Sequence, residues 1–129
     1  MTSALRPYMW VALGGATGAT ARWSLTASVP TERYLWWILV VNVTGSLLLG
    51  IVAGRYAHGT RPPWYPAVGP GFLGGFTTYS ATAVAFMEPH ASGIVGVGAL
   101  ILTLVIATGA AWGGWAWART RFRDEEASP

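Results

Sequence analysis

The sequence predicts an all-α integral membrane protein: a single domain of four transmembrane helices, the third of them broken near its centre. Three observations predict this class. Of 129 residues, 53% are hydrophobic and only 10% are charged, against roughly 25% charged in an ordinary soluble domain, and the mean hydropathy is +0.43. Four apolar stretches each reach the ~20 residues that a bilayer core demands of a helix. Tryptophan and tyrosine gather at the ends of those stretches, among them Tyr8, Trp10, Trp36, Trp37, Tyr56 and Trp64, where amphipathic rings sit at the membrane–water boundary.

The first span covers 7–28. It follows a single arginine, Arg6, and is long and glycine-rich, with no compelling small-residue cleavage site. It therefore reads as a retained span and not as a signal peptide. The second span covers 35–56, the third 64–87 and the fourth 93–118. Short connections join them: PTER (30–33), HGTRPP (58–63) and EPHAS (88–92). Nothing is left over for a soluble domain, and the charged tail, 119–129, is expected to fray. Each span carries two glycines four residues apart: Gly14/Gly18, Gly50/Gly54, Gly71/Gly75 and Gly109/Gly113. Such pairs let helix backbones approach closely in lipid, where apolar burial gives no drive between helices. One pair in every span predicts tight packing.

Charge predicts the orientation. All eight basic residues are arginine. Four spans put both termini on the same side as the second connection, and that side holds Arg6, Arg55, Arg61, Arg119, Arg121 and Arg123. The other side holds Arg33 and, at the end of the first span, Arg22. Arginine-rich ends stay in the cytoplasm, so both termini are predicted cytoplasmic, in a multi-pass protein of the inner (plasma) membrane. The net charge of only +3, with no basic face and no aromatic RNA-binding motif, argues against a nucleic-acid partner.

Polar groups inside a span are costly and therefore informative. Asn42 lies about a third of the way into the second span, with Gly45 and Ser46 on the same helical face. Its amide offers two donors, for an interhelical hydrogen bond or for a ligand. Arg22, closing GGATGATAR, either snorkels to the interface or stands as a fixed positive charge at a pore mouth. The stretch GFLGGFTTYS, 71–80, follows Pro66 and Pro70. Proline removes donors and glycine weakens a helix, so the third span is expected to break near Gly74 to Thr77. Non-helical backbone is tolerated at membrane depth only where protein or a water-filled path surrounds it. Thr77, Thr78, Tyr79 and Ser80 add four consecutive hydroxyls; a kinked helix with back-bonded hydroxyls is the plainer alternative.

What is missing narrows the function. The acids, Glu32, Glu88, Asp124, Glu125 and Glu126, all fall in connections, at a span end or in the tail. A small multidrug-type, proton-coupled antiporter needs a membrane-embedded carboxylate, which this chain does not offer. There is no cysteine, hence no disulfide or thiolate metal site. No nucleophile–base set or phosphate-binding loop is present, so the chain is not expected to be an enzyme.

Three stretches in order, GGATGATAR, NVTGS and GFLGGFTTYS, together resemble the bacterial fluoride channels, the Fluc or CrcB family, and the resemblance covers essentially the whole chain. It implies an antiparallel dimer of four-helix subunits that passes fluoride passively out of the cell through two pores. It also implies a structural, untransported sodium ion at the dimer centre, held by backbone carbonyls that fall on Gly74 and Thr77 here. The pore residues carried over are Asn42, Thr78, Tyr79, Ser80 and Thr82, with Arg22 in the vestibule. Two departures stand out. This chain reads TTYSAT over 77–82 where the family usually reads TTFSTF, so Tyr79 adds a hydroxyl to the first ring and Thr82 lacks the second. The fourth span offers only Thr103 and Thr108 as a polar track. A homodimer of oppositely inserted subunits requires dual topology, whereas the arginine bias here indicates one fixed orientation. The chain is therefore expected to be one half of a heterodimer with a related chain, a weakly conducting or structural subunit by itself, the alternative being the homodimer.

Overall fold

The computed structural model describes residues 5–87 and 94–126, and every regular element among them is helical. Helix α1, Arg6–Thr26, has proline in its first turn, where the missing N–H costs nothing and the fixed φ suits the helix. Helix α2, Thr31–Arg55, starts four residues before the predicted span, directly after Pro30 in an extended conformation (ψ 146°). Glu32 in its first turn and Arg55 in its last match the helix dipole. The ring of Tyr56 then meets Trp64 and Tyr65 edge to face, at centroid distances of 5.6 and 6.0 Å, and folds the second connection back on itself.

The third apolar stretch forms three pieces. Ala67–Leu73 is π-helical and contains Pro70. A proline ring clashes with the carbonyl four residues back in an α-helix, and the wider turn relieves that clash. One α-helical turn follows, α3, Gly74–Phe76. Thr77 is then extended (φ −76°, ψ 150°), and α4, Ser80–Met87, begins after Tyr79. The last element, α5, is Ile94–Glu126. Its 33 residues make a rod of about 50 Å, longer than the ~30 Å bilayer core. The tail from 119 to 126 is thus a continuation of helix, not the frayed end expected. The third connection, 88–92, and the last three residues lie outside the described residues.

Two seams organise the packing. Helix α1 lies on the π-helical segment and α3, and α2 lies along α5. Glycine makes both seams possible. A Cβ at Gly14 would collide with the backbone of Ala67, one at Gly18 with Phe72, and one at Gly75 with Gly15. In the other seam Gly50 meets the backbone of Ala111 and Gly54 that of Trp115. The fourth expected pair behaves differently: Gly109 and Gly113 face open space, and Gly114 makes the close contact, against Leu47.

The buried apolar core is small among the described residues, comprising Ile38, Val41, Leu73 and Ala118. Large apolar side chains such as Trp23, Trp36, Val105 and Trp112 stand more than half exposed. Two stretches, Thr31–Arg55 and Val97–Arg121, are long and apolar enough to cross a membrane, and only 28% and 11% of the apolar 18-residue window within each is buried. The core helix of a soluble protein would be mostly buried. The apolar faces of these helices point outward, as they do in helices that lie in a membrane.

The arginines segregate along the long axis. Arg6 and Arg61 line one cavity, and the guanidinium of Arg55 lies 4.3 Å from the Phe122 ring centroid near the end of α5, the helix that also carries Arg119, Arg121 and Arg123. Arg22 and Arg33 flank the turn between α1 and α2, at the opposite end of both helices.

Candidate functional site

The interruption between α3 and α4 leaves backbone groups without helical partners, and α2 supplies them. Asn42 is buried. Its Nδ2 donates to the Thr78 carbonyl at 2.9 Å and to Thr82 Oγ1 at 3.0 Å, and its Oδ1 accepts from the Thr78 N–H at 2.7 Å. Because Thr78 presents one backbone donor and one backbone acceptor, only one orientation of the amide satisfies both. Asn42 thereby stands in for two missing helical bonds.

Hydroxyls complete the arrangement. Thr82 Oγ1 donates to the Thr78 carbonyl at 3.1 Å and Thr78 Oγ1 accepts from the Ala81 N–H at 3.2 Å, which caps the start of α4. Ser80 Oγ lies 3.3 Å from Thr78 Oγ1. On the other side of the break, Thr77 Oγ1 donates to the carbonyls of Leu73 and Gly74 at 3.1 and 3.3 Å. Gly45 lets α2 come this close, since a Cβ there would lie 2.6 Å from Thr77 Cγ2.

A cavity of ≈430 Å³ opens on this network. Asn42 and Ser46 of α2 line one wall, Thr77, Thr78 and Tyr79 the interruption, and Thr103 and Thr108 of α5 another. No charged side chain lines it. The hydroxyls of Ser46 and Thr108 have no hydrogen-bond partner among the described residues, so they are open to a small ligand, whereas both N–H groups of Asn42 are already engaged. A cavity of neutral, directed donors can take the place of an ion's water.

The expected site residues divide into groups. Asn42, Thr78, Tyr79 and Thr82 line this cavity with Gly74 and Thr77, while Ser80 touches it only through Thr78 Oγ1. Tyr79 is 59% exposed. Arg22 is not part of the cavity. It is half-buried on α1, and its Nε is sealed from solvent without a hydrogen-bond partner. The sequence signal for Thr82 was a missing ring; its role as a partner of Asn42 depends on the break bringing 42 and 82 together. Ser46 was legible from its spacing to Asn42.

Helical architecture, outward apolar faces and a neutral polar cavity at a helix interruption define a membrane protein built to handle a small solute. Residues 9–115 match the family model described as CrcB-like protein, Camphor Resistance (CrcB), and the chain belongs to that family. It is 38% identical over 89 residues to the fluoride-specific ion channel FluC of Koribacter versatilis, covering 65% of this chain and 71% of that one. It is 44% identical over 82 residues to fluoride-specific ion channel FluC 1 of Rhodococcus jostii, covering 64% and 62%. The match to the FluC of Acidobacterium capsulatum is 33% over 114 residues, 83% of this chain and 91% of the relative.

Proposed function

We propose that this chain is a subunit of a fluoride-selective channel that passes fluoride passively out of the cell. The observation that carries the reading is the neutral donor cavity at the interruption of the third apolar stretch, in a chain whose relatives bear the name of fluoride-specific ion channels. Fluoride is small and strongly hydrated, so a pathway has to replace its water with directed donors. Ser46 and Thr108 offer hydroxyls, Asn42 offers N–H groups if an anion displaces Thr82 or the Thr78 carbonyl, and the edge of the Tyr79 ring carries partial positive charge. Arg22 raises the local anion concentration from outside the cavity.

In this reading the pieces from Ala67 to Met87 form one membrane passage, broken at its centre, within a four-span subunit in the plasma membrane. Both termini are cytoplasmic, as the six arginines at one end favour. Two subunits pair antiparallel around the break, where Gly74 and Tyr79 are exposed on the single chain. Gly74 and Thr77 suit the structural sodium ion of the resemblance: their carbonyls are neutral oxygens, as a hard cation prefers. The extended backbone of Thr77 turns its carbonyl out of the helical ladder, and the Ala81 N–H donates to Thr78 Oγ1. One chain contributes too few oxygens to surround a cation, so the fit requires the second subunit. Such an ion would offset the cost of desolvating an anion nearby.

The arginine asymmetry favours a heterodimer with a related, oppositely inserted chain over a homodimer that needs dual topology. Fluoride efflux from liposomes, read with a fluoride electrode and with chloride as control, tests both readings. Efflux from the chain alone identifies a homodimer. Silence alone and efflux with a coexpressed related chain identify the heterodimer. Silence in both removes the channel reading.

A further inference from the structure

A second cavity, of ≈440 Å³, opens between the start of α1 and the chain leading into the π-helical segment, and it shares no residue with the Asn42 cavity. Among the described residues, the charged ones lining it are Arg6 and Arg61. Neither makes an ion pair among the described residues. Arg61 lies 4.8 Å from the centroid of the Tyr65 ring, a cation–π contact that lays the guanidinium along the wall. Tyr65 is itself braced edge to face by Tyr56. The remaining wall is Trp10 and a set of prolines that includes Pro62 and Pro66, whose fixed φ angles hold its shape.

Two guanidinium groups over a rigid floor suit a phosphate group, which arginine meets with paired N–H donors. The aromatic and proline wall adds apolar surface, which a free phosphate ion has no use for and a phosphate ester on an acyl chain does. The cavity also sits at the arginine-rich end of the chain, against the first turn of α1, and a span's end is where a helix meets headgroups. We propose that it binds the phosphate headgroup of an anionic lipid, with Arg6 and Arg61 as its cationic contacts. The proposal rests on the membrane character of the chain and not on the identity of the ion it conducts.

The test is native mass spectrometry of the full chain in detergent, titrated with phosphatidylglycerol and, as the neutral control, phosphatidylcholine. Phosphatidylglycerol should be retained in preference. The double variant Arg6→Ala/Arg61→Ala should weaken that retention roughly 25-fold, on the order of fivefold for each arginine. Arg121→Ala/Arg123→Ala removes equal charge from the same end outside the cavity and should change it by about twofold or less. Both arginines of the cavity are exposed, so neither double variant should disturb helicity by circular dichroism. Equal losses in the two double variants would overturn the site and leave a diffuse charge patch. Undiminished retention in Arg6→Ala/Arg61→Ala would overturn it outright. Displacement of the lipid by inorganic phosphate at matching concentration would assign the cavity to the free ion and overturn the lipid.

Discussion

Between Ala67 and Phe76 the chain is held against α1 by backbone meeting backbone, whereas between Thr78 and Thr82 it is held against α2 by the amide of one residue, Asn42. The first half depends on shape. Gly14, Gly18 and Gly75 remove side chains so that main chains touch, and van der Waals contact accumulates over the seam. The second half depends on direction, through three hydrogen bonds from one side chain to a stretch whose own ladder is interrupted. Shape-held elements fail when an atom is added and direction-held elements fail when a donor is removed. The difference places the directed hydrogen bonds at the cavity, on a frame set by the shape-held half beside it.

The largest effect should come from adding atoms to the first half. Gly18→Val places a side chain where the Phe72 backbone lies, and neither helix can yield without opening the seam. The expected loss is about 4 kcal/mol or more, read as collapse of the monodisperse peak and of the melting transition in detergent. A variant that melts with the wild type would mean that α1 is not seated on Phe72. Next is Asn42→Leu, which leaves the part-buried Thr78 N–H without its partner. It should cost about 3 kcal/mol and sharply reduce fluoride efflux while leaving the proposed dimer intact, read as an unchanged elution volume on size exclusion. Normal efflux would take Asn42 off the anion path. Thr82→Val is isosteric and removes one acceptor from Asn42, for a loss of about 1 kcal/mol. It frees an N–H toward the cavity, so efflux should persist. Loss as complete as in Asn42→Leu would put the Thr82 hydroxyl itself on the path.

The unequal halves also explain which features were legible in the sequence. The all-helical class and the close approaches at Gly14, Gly18, Gly50, Gly54 and Gly75 follow from local chemistry: glycine and apolar length act on the residues beside them. Ser46 was legible from its spacing to Asn42. Thr82 was not legible as a partner of Asn42, because 40 residues separate them and only the interruption brings them together. The helical tail was missed for a related reason. Charge marks where a span leaves the lipid, but Arg119 and Phe122 extend α5 through contacts with the Trp115 and Trp117 rings. Glycine pairs mark close approach without saying to what, and here Gly114, not Gly109/Gly113, faces α2.

Gly109→Ala is the mildest change and sharpens the contrast most directly. In the single chain a Cβ at Gly109 or Gly113 would meet nothing within 4 Å, unlike one at Gly14 or Gly50. On that geometry alanine should be tolerated or should stabilise by ~0.5–1 kcal/mol, because it raises helix propensity inside α5. Melting of the purified chain should therefore stay level or rise by a few degrees. A marked fall, or loss of the proposed dimer to a smaller species on size exclusion, would show that another helix lies across this face in the assembled protein. The glycines would then form a third seam of the shape-held kind, made between chains instead of within one. The contrast between the halves of Ala67 to Met87 would survive, and the face of α5 that joins the partner would be located.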